Sequence, residues 1–114
     1  MELTSSKEPG LQIVTVQVQR IDAAVALAFK DQMRAITDGE TDIVLLDLNH
    51  VTFIDSSGLG AIVAAMKNLS PDRKLILAGM TSTVDKVFKL TRMDSVFGIF
   101  PTIEAALNTL HPQT

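Results

Sequence analysis

The sequence contains no cysteine, no tryptophan and no tyrosine among its 114 residues. Without cysteine the chain cannot form disulfides, use a thiol nucleophile or bind zinc through thiolates. Aromatic residues make up only 4% of the chain, so sites that stack bases or sugars on aromatic rings are not expected. The net charge is −3 and the lysines and arginines form no cluster, which argues against nucleic acid as a partner.

Long apolar runs are also missing. A membrane-spanning helix needs about 18 or more consecutive apolar residues, and no run of that length occurs. The opening stretch, MELTSSKEPG, lacks the basic and apolar regions of a signal peptide. The sequence therefore predicts a cytoplasmic protein without direct membrane insertion.

The chain does have enough apolar residues, 46%, to build one core of ordinary domain size. Alternation over residues 11–18 predicts a half-buried strand with Val14, Val16 and Val18 on one face. A proline-glycine turn precedes this strand, so a short strand over residues 2–6 is expected to pair with it as a hairpin.

Helical and strand patterns then alternate to the end of the chain. Asp22 is expected to cap the first helix and Gly39 to end it. The second helix should bury Leu59, Ile62, Val63, Met66 and Leu69. The third should be capped by Ser82 or Thr83 and bury Val84, Val87, Phe88 and Leu90. The predicted later strands cover residues 43–48, 74–78 and 96–100, a fourth helix follows Pro101, and residues 111–114 are expected to fray.

This order predicts a single α/β domain over residues 1–114, with its core at about 11–110. The expected architecture is a mixed sheet of four to five strands packed with about four helices. In such sheets, functional sites collect beyond the carboxyl ends of strands, where the next helix begins. The stretch TFIDSSGLG, residues 52–60, occupies that position after the most apolar strand.

The composition of this junction is unusual for a helix start. Two glycines in a first helical turn cost roughly 0.5–1 kcal/mol each relative to alanine. With Ser56 taken as the N-cap, Gly58 and Gly60 would leave a bare patch that another protein's backbone could approach. Asp55 could cap the helix equally well. A helix N-terminus also tolerates a phosphate, so a phosphoserine there would be compatible with the fold.

Enzymatic interpretations are less favoured. Neither serine of the junction has the glycine two residues before it that a nucleophile elbow requires, and no phosphate-binding P-loop motif is present. The two histidines, His50 and His111, stand at a strand end and in the tail. A magnesium site built from Asp22, Asp47 and Asp55 is a further option, but an ordinary structural role is favoured for these scattered acids.

The residues IDSSGLG at 54–60 resemble the signature of STAS-domain anti-sigma factor antagonists, and the resemblance extends over roughly residues 11–110. It implies phosphorylation of Ser56, with Ser57 as the alternative, by a GHKL-type anti-sigma factor that is also a serine kinase. It further implies that the unphosphorylated chain binds this kinase, and that a PP2C-type phosphatase restores binding. ATP and Mg²⁺ would belong to the kinase, so no catalytic residue, metal or cofactor is expected here. The implied partner-binding residues are Asp22, Asp55, Ser56, Ser57, Gly58, Leu59 and Gly60.

One segment departs from the family pattern. Where the family often has Gly-Glu-Leu-Asp or Gly-Glu-Ile-Asp, this chain has Gln19-Arg20-Ile21-Asp22, so Arg20 reverses a charge while Asp22 matches the family acid. The partner could accordingly be a variant kinase whose target is not a sigma factor. Two other functions stay open, a regulatory STAS subunit of a transporter and a domain that binds a small molecule or nucleotide.

Overall fold

The computed structural model describes residues 1–110, which form a five-stranded sheet, a separate two-stranded sheet and four helices. The strands are β1 (Leu3–Glu8), β2 (Leu11–Val16), β3 (Arg20–Ile21), β4 (Ile43–Asp47), β5 (Phe53–Ile54), β6 (Lys74–Ala78) and β7 (Gly98–Phe100). The helices are α1 (Ala26–Ile36), α2 (Ser56–Leu69), α3 (Ser82–Leu90) and α4 (Ile103–Leu110). None of these helices is long and apolar enough to cross a membrane.

The main sheet has the order β1-β2-β4-β6-β7. β1 is antiparallel to β2, and every other neighbouring pair is parallel. The hairpin between β1 and β2 turns at Gly10, whose φ of 73° suits glycine. The predicted fold class, a mixed sheet in an α/β domain with about four helices, is confirmed, and so is the N-terminal hairpin.

The core lies on both faces of the sheet. Val44 and Leu46 of β4 belong to a large cluster that also contains core residues of α1, α2 and α3. Leu45, between them, belongs to a smaller cluster with Ala106 of α4. Because β4 is buried on both faces, its sequence reads as a continuous apolar run rather than an alternation.

The boundaries of the first helix differ from the prediction. α1 begins after Val25, which offers no side-chain cap. Asp22 lies ahead of the helix, where its Oδ1 atom accepts a hydrogen bond from the Ala24 amide at 3.1 Å. The helix ends at Ile36, before Gly39: the backbone of Thr37 leaves the helical conformation, with φ −99° and ψ 13°, while its amide and hydroxyl both donate to the Met33 carbonyl. The preceding strand also ends early, at Val16, so Val18 lies outside it.

The third helix is capped by Thr81 rather than by Ser82 or Thr83. The Thr81 hydroxyl accepts from the Val84 amide at 3.5 Å and donates to the Val51 carbonyl at 2.8 Å. Phe88 is fully buried, whereas Leu90 is 84% exposed, so the predicted burial of Leu90 is wrong. A short 3₁₀ turn, Met93–Ser95, follows, and it delays β7 to Gly98. The predicted fraying of residues 111–114 lies outside the described residues.

The two-stranded sheet was not predicted. β3 and β5 run parallel, with Arg20 opposite Phe53 and Ile21 opposite Ile54. A strand of two residues is too short to show alternation in a sequence. This small sheet joins the segment before α1 to the segment before α2, and it therefore positions the junction at residues 52–60.

Candidate functional site

Helix α2 begins with Asp55 as its N-cap. Asp55 has an extended backbone, with φ −109° and ψ −176°, and its Oδ1 atom accepts from the Gly58 amide at 2.8 Å. The carbonyl of Asp55 accepts the next helical amide, that of Leu59, at 2.9 Å. Ser56 is thus the first residue of the helix, and its assignment as the N-cap is wrong. Only the residue that enters the helix from an extended conformation can place its side chain on the third amide.

The second carboxylate oxygen of Asp55 reaches across to the segment before α1. Its Oδ2 atom accepts from the Ala23 amide at 3.1 Å. The amides of Thr52 and Phe53 donate to the Gln19 carbonyl at 2.8 and 3.2 Å. The two segments are therefore fastened together by backbone and carboxylate bonds, which places Asp22 beside the start of α2.

The side chains of the junction divide into an exposed and a buried set. Ser56, Ser57 and Gly60 are exposed, whereas Gly58 is buried and Leu59 is 9% exposed in the large core cluster. A Cβ atom at Gly58 would lie 1.9 Å from the Ile21 carbonyl oxygen, but one at Gly60 would meet nothing within 4 Å. The bare-patch interpretation therefore fails for Gly58, which the chain's own backbone covers. Gly60 does leave open space.

The apolar face of α2 mostly follows the predicted spacing. Ile62 and Leu69 are buried, and Val63 and Met66 are partly buried against the same cluster. Leu27, in the first turn of α1, is 68% exposed. The exposed Ala23 and Ala24 lie between β3 and α1 in the chain. The exposed residues of these segments, Ala23, Ala24, Leu27 and Gly60, are therefore apolar or small.

The charges at this surface are few. Segments 19–29 and 51–66 contain two acids, Asp22 and Asp55, and a single basic side chain, Arg20. Asp47 does not join them: it is 8% exposed at the end of β4, where its Oδ1 atom accepts from the Asn49 amide at 3.0 Å. Among residues 1–110, no three histidine or acidic side chains gather as a metal site would require.

In the sequence, Arg20 stands out only because it reverses a charge of the family pattern, and Phe53 has no expected role. In the structure, the Arg20 guanidinium carbon lies 4.1 Å from the centroid of the Phe53 ring, within the range of a cation–π interaction. Its Nε atom is 3.3 Å from Oδ2 of Asp22. The pairing became visible only with the register of β3 and β5, which a sequence does not reveal for strands of this length.

Known proteins share this chain's sequence and fold. The anti-sigma-B factor antagonist of Listeria monocytogenes is 29% identical over 89 residues, which cover 77% of both chains. An anti-sigma factor antagonist from Mycobacterium paratuberculosis superposes with a TM-score of 0.83 at 23% identity, covering 95% of this chain and 92% of the other. The Bacillus cell fate determinant SpoIIAA in its phosphorylated form superposes with a TM-score of 0.68 at 18% identity, covering 96% and 100%.

The family model for the STAS domain matches residues 3–106, which span the main sheet from β1 to β7, the Ser56 junction and the start of α4. The signature at residues 54–60 thus lies inside a match to nearly the whole described chain. The chain belongs to the STAS domain family.

Proposed function

We propose that this chain is an anti-sigma factor antagonist that acts by binding and carries out no catalysis. In its unphosphorylated form it binds a GHKL-type anti-sigma factor that is also a serine kinase, and phosphorylation of Ser56 ends the complex. A PP2C-type phosphatase then restores the binding form, and the cycle takes place in the cytoplasm. The name of the Listeria relative supports the partner class.

One observation carries the proposal. Asp55 supplies the helix cap, so the hydroxyl of Ser56 has no capping duty and its side chain is exposed. A serine that was needed as the cap would be occupied by a backbone amide. Ser56 is therefore accessible to a kinase, and its modification would leave the helix start intact.

A phosphate at Ser56 would affect the helix and a partner in opposite ways. The free amides and dipole at the start of α2 favour an added anion. A partner that covers this surface would meet about 1.5 to 2 extra negative charges beside Asp22 and Asp55. Burying that charge without a counter-ion is costly, so the complex would dissociate while the fold is kept.

To test this, the purified chain is incubated with candidate GHKL-type kinases and ATP, and the number of phosphates is measured by intact-protein mass spectrometry. We expect one phosphate on the unmodified chain and on Ser57→Ala, and none on Ser56→Ala. Ser57 is the matched control because it lies in the same exposed helical turn. A single phosphate on Ser56→Ala would assign the site to Ser57 instead.

Binding supplies the second half of the test. Calorimetric titration of a kinase that modifies the chain should give at least about a hundredfold weaker affinity for the phosphorylated form, which corresponds to ~2.8 kcal/mol. Equal affinities for the two forms would contradict the switch. A bound nucleotide or metabolite that is retained by the purified chain, with no modification by any kinase, would favour a ligand-binding domain.

A further inference from the structure

We propose that Arg20 binds the phosphate of phosphorylated Ser56 within the same chain, exchanging its partner Asp22 for the new anion. The inference rests on the proposed function, because it takes Ser56 as the modified residue. It adds a residue that recognises the phosphate and is not part of the family signature.

The position of Arg20 is set by three contacts. β3 pairs it with Phe53 of β5, two residues before the Asp55 cap. The Phe53 ring lies under the guanidinium at 4.1 Å, and the Asp22 carboxylate accepts from Nε at 3.3 Å. Asp22 and Asp55 in turn accept from the adjacent amides of Ala24 and Ala23. Arg20 thus lies on the strand beside the one that leads into α2, opposite a residue three positions before Ser56.

The guanidinium still has donors to offer. Within residues 1–110, its hydrogen bond to Asp22 uses Nε, and its two terminal amino groups make none. An arginine presents five N–H donors in a planar fork that suits a phosphate. The guanidinium lies over the Phe53 ring and the Arg20 side chain is 61% exposed, so these donors are open to an anion at the surface.

Charge makes the exchange favourable. The guanidinium of Arg20 currently faces a carboxylate that carries one negative charge. A phosphoserine carries about 1.5 to 2 negative charges and three acceptor oxygens, so it competes well for the same cation. No other lysine or arginine occurs in segments 19–29 and 51–66. Arg20 is thus the only basic residue of the two joined segments available to the phosphate.

The exchange has a consequence for a partner. In the unmodified chain Arg20 partly neutralises Asp22; after phosphorylation Asp22 would be released and left without this counter-ion. A kinase surface would then meet both the phosphate and a freed carboxylate. The exchange leaves the total added charge unchanged but spreads it over two groups, and the contact would hold the phosphate in one orientation for the phosphatase.

The test needs no kinase. Phosphoserine is incorporated at position 56 by genetic encoding, and the pKa of the phosphate is measured by ³¹P NMR titration. The second pKa of a free phosphoserine is about 6. A cation in contact with the dianion lowers this pKa. Arg20→Gln should therefore raise the phosphate pKa by at least about 0.3 unit relative to the phosphoserine protein that keeps Arg20.

Arg34→Gln is the matched control, because Arg34 is an exposed arginine in the last turn of α1, away from the loop that contacts Asp55. It should leave the phosphate pKa unchanged. Direct contact is read from the Arg20 Nε–H signal in ¹⁵N spectra, which should move on phosphorylation. Equal phosphate pKa values in the Arg20→Gln and Arg34→Gln proteins, with an unmoved Nε–H signal, would overturn the inference. That result would leave the kinase switch standing, since encoded phosphoserine bypasses the kinase.

Discussion

At the scale of single residues, the two glycines of the junction have different physical roles despite lying two positions apart. Gly58 is the residue whose amide Asp55 caps, and it lies against the Ile21 carbonyl, where no side chain fits. Gly60 faces open space. The first glycine therefore belongs to the folding of the site, and the second is free to serve a partner surface.

This difference predicts opposite effects of the same substitution. Gly58→Ala would place a Cβ atom 1.9 Å from a backbone oxygen, so it should destabilise the fold by about 1–3 kcal/mol through overpacking. Gly60→Ala should instead stabilise it by about 0.5–1 kcal/mol, because alanine is the better helix former. Urea unfolding of both variants measures the difference. Equal unfolding free energies for the two variants would show that the Ile21 carbonyl does not press on Gly58.

The sequence limits the N-cap of α2 to two neighbouring residues but does not choose between them. Asp55 and Ser56 are both good N-caps, and neither composition nor spacing decides between them. The decision comes from the parallel pairing of β3 with β5, which extends the backbone as far as Asp55. That tertiary contact makes Asp55 the cap and leaves Ser56, on which the proposed switch depends, exposed.

At the scale of elements, the pattern of apolar residues predicts the position of an element where that element is long or fully buried. The 14-residue helix α2 and the doubly buried β4 appear where their patterns predicted them. Short elements with little pattern were missed, namely the pair β3 and β5 and the 3₁₀ turn. Helix boundaries also differ from the prediction. The Thr81 side chain caps α3 in place of Ser82 or Thr83, and α1 ends where the backbone of Thr37 leaves the helical conformation, ahead of Gly39.

Helix α3 shows how the sequence can mislead at an element's end. Phe88 packs edge-on against Phe97, with ring centroids 5.9 Å apart. Leu90 is the last residue of the helix, and its side chain is exposed to solvent. The chain then leaves the helix through Arg92 in the left-handed conformation, with φ 59°. At about 3.6 residues per turn, Leu90 lies on the side of the helix opposite the buried Phe88.

Two truncations on α3 test this arrangement. Phe88→Ala should destabilise the fold by about 3–5 kcal/mol, because it empties a fully buried site. Leu90→Ala, two residues along the same helix, should change the unfolding free energy by less than about 0.5 kcal/mol. Denaturant midpoints compare the two, and Phe88→Leu provides a folded intermediate case if the alanine variant does not fold. A loss of several kcal/mol for Leu90→Ala would mean that the helix end is buried after all.

At the scale of the whole molecule, the exposed serines of the junction are separate from both hydrophobic cores. The exposed serines lie at the end of the small sheet, on the side of the main sheet covered by α1, α2 and α3. The second core, built around Leu45 and Ala106, lies on the opposite face under α4. A charge added at Ser56 touches neither core, so a switch of partner does not require a switch of fold.

This separation leads to a prediction with a matched pair of variants. Ser56→Asp and Ser82→Asp each place an acid at the first residue of a helix whose cap is supplied by the preceding residue. Both should change the unfolding free energy by at most about 1 kcal/mol, because an anion at a helix N-terminus is well tolerated. Amide spectra should change in the Ser56→Asp protein only around segments 19–29 and 51–66.

Calorimetric titration against the kinase should then separate the two variants. Ser56→Asp should bind more weakly than the unmodified chain, but by less than the hundredfold expected for phosphate, since aspartate carries less charge. Ser82→Asp should bind as the unmodified chain does. Equal weakening by both variants would mean that general negative charge, rather than charge at the Ser56 junction, controls binding. Spectral changes that spread to the α4 face would mean that the modification acts through the fold, which the separation of the two cores argues against.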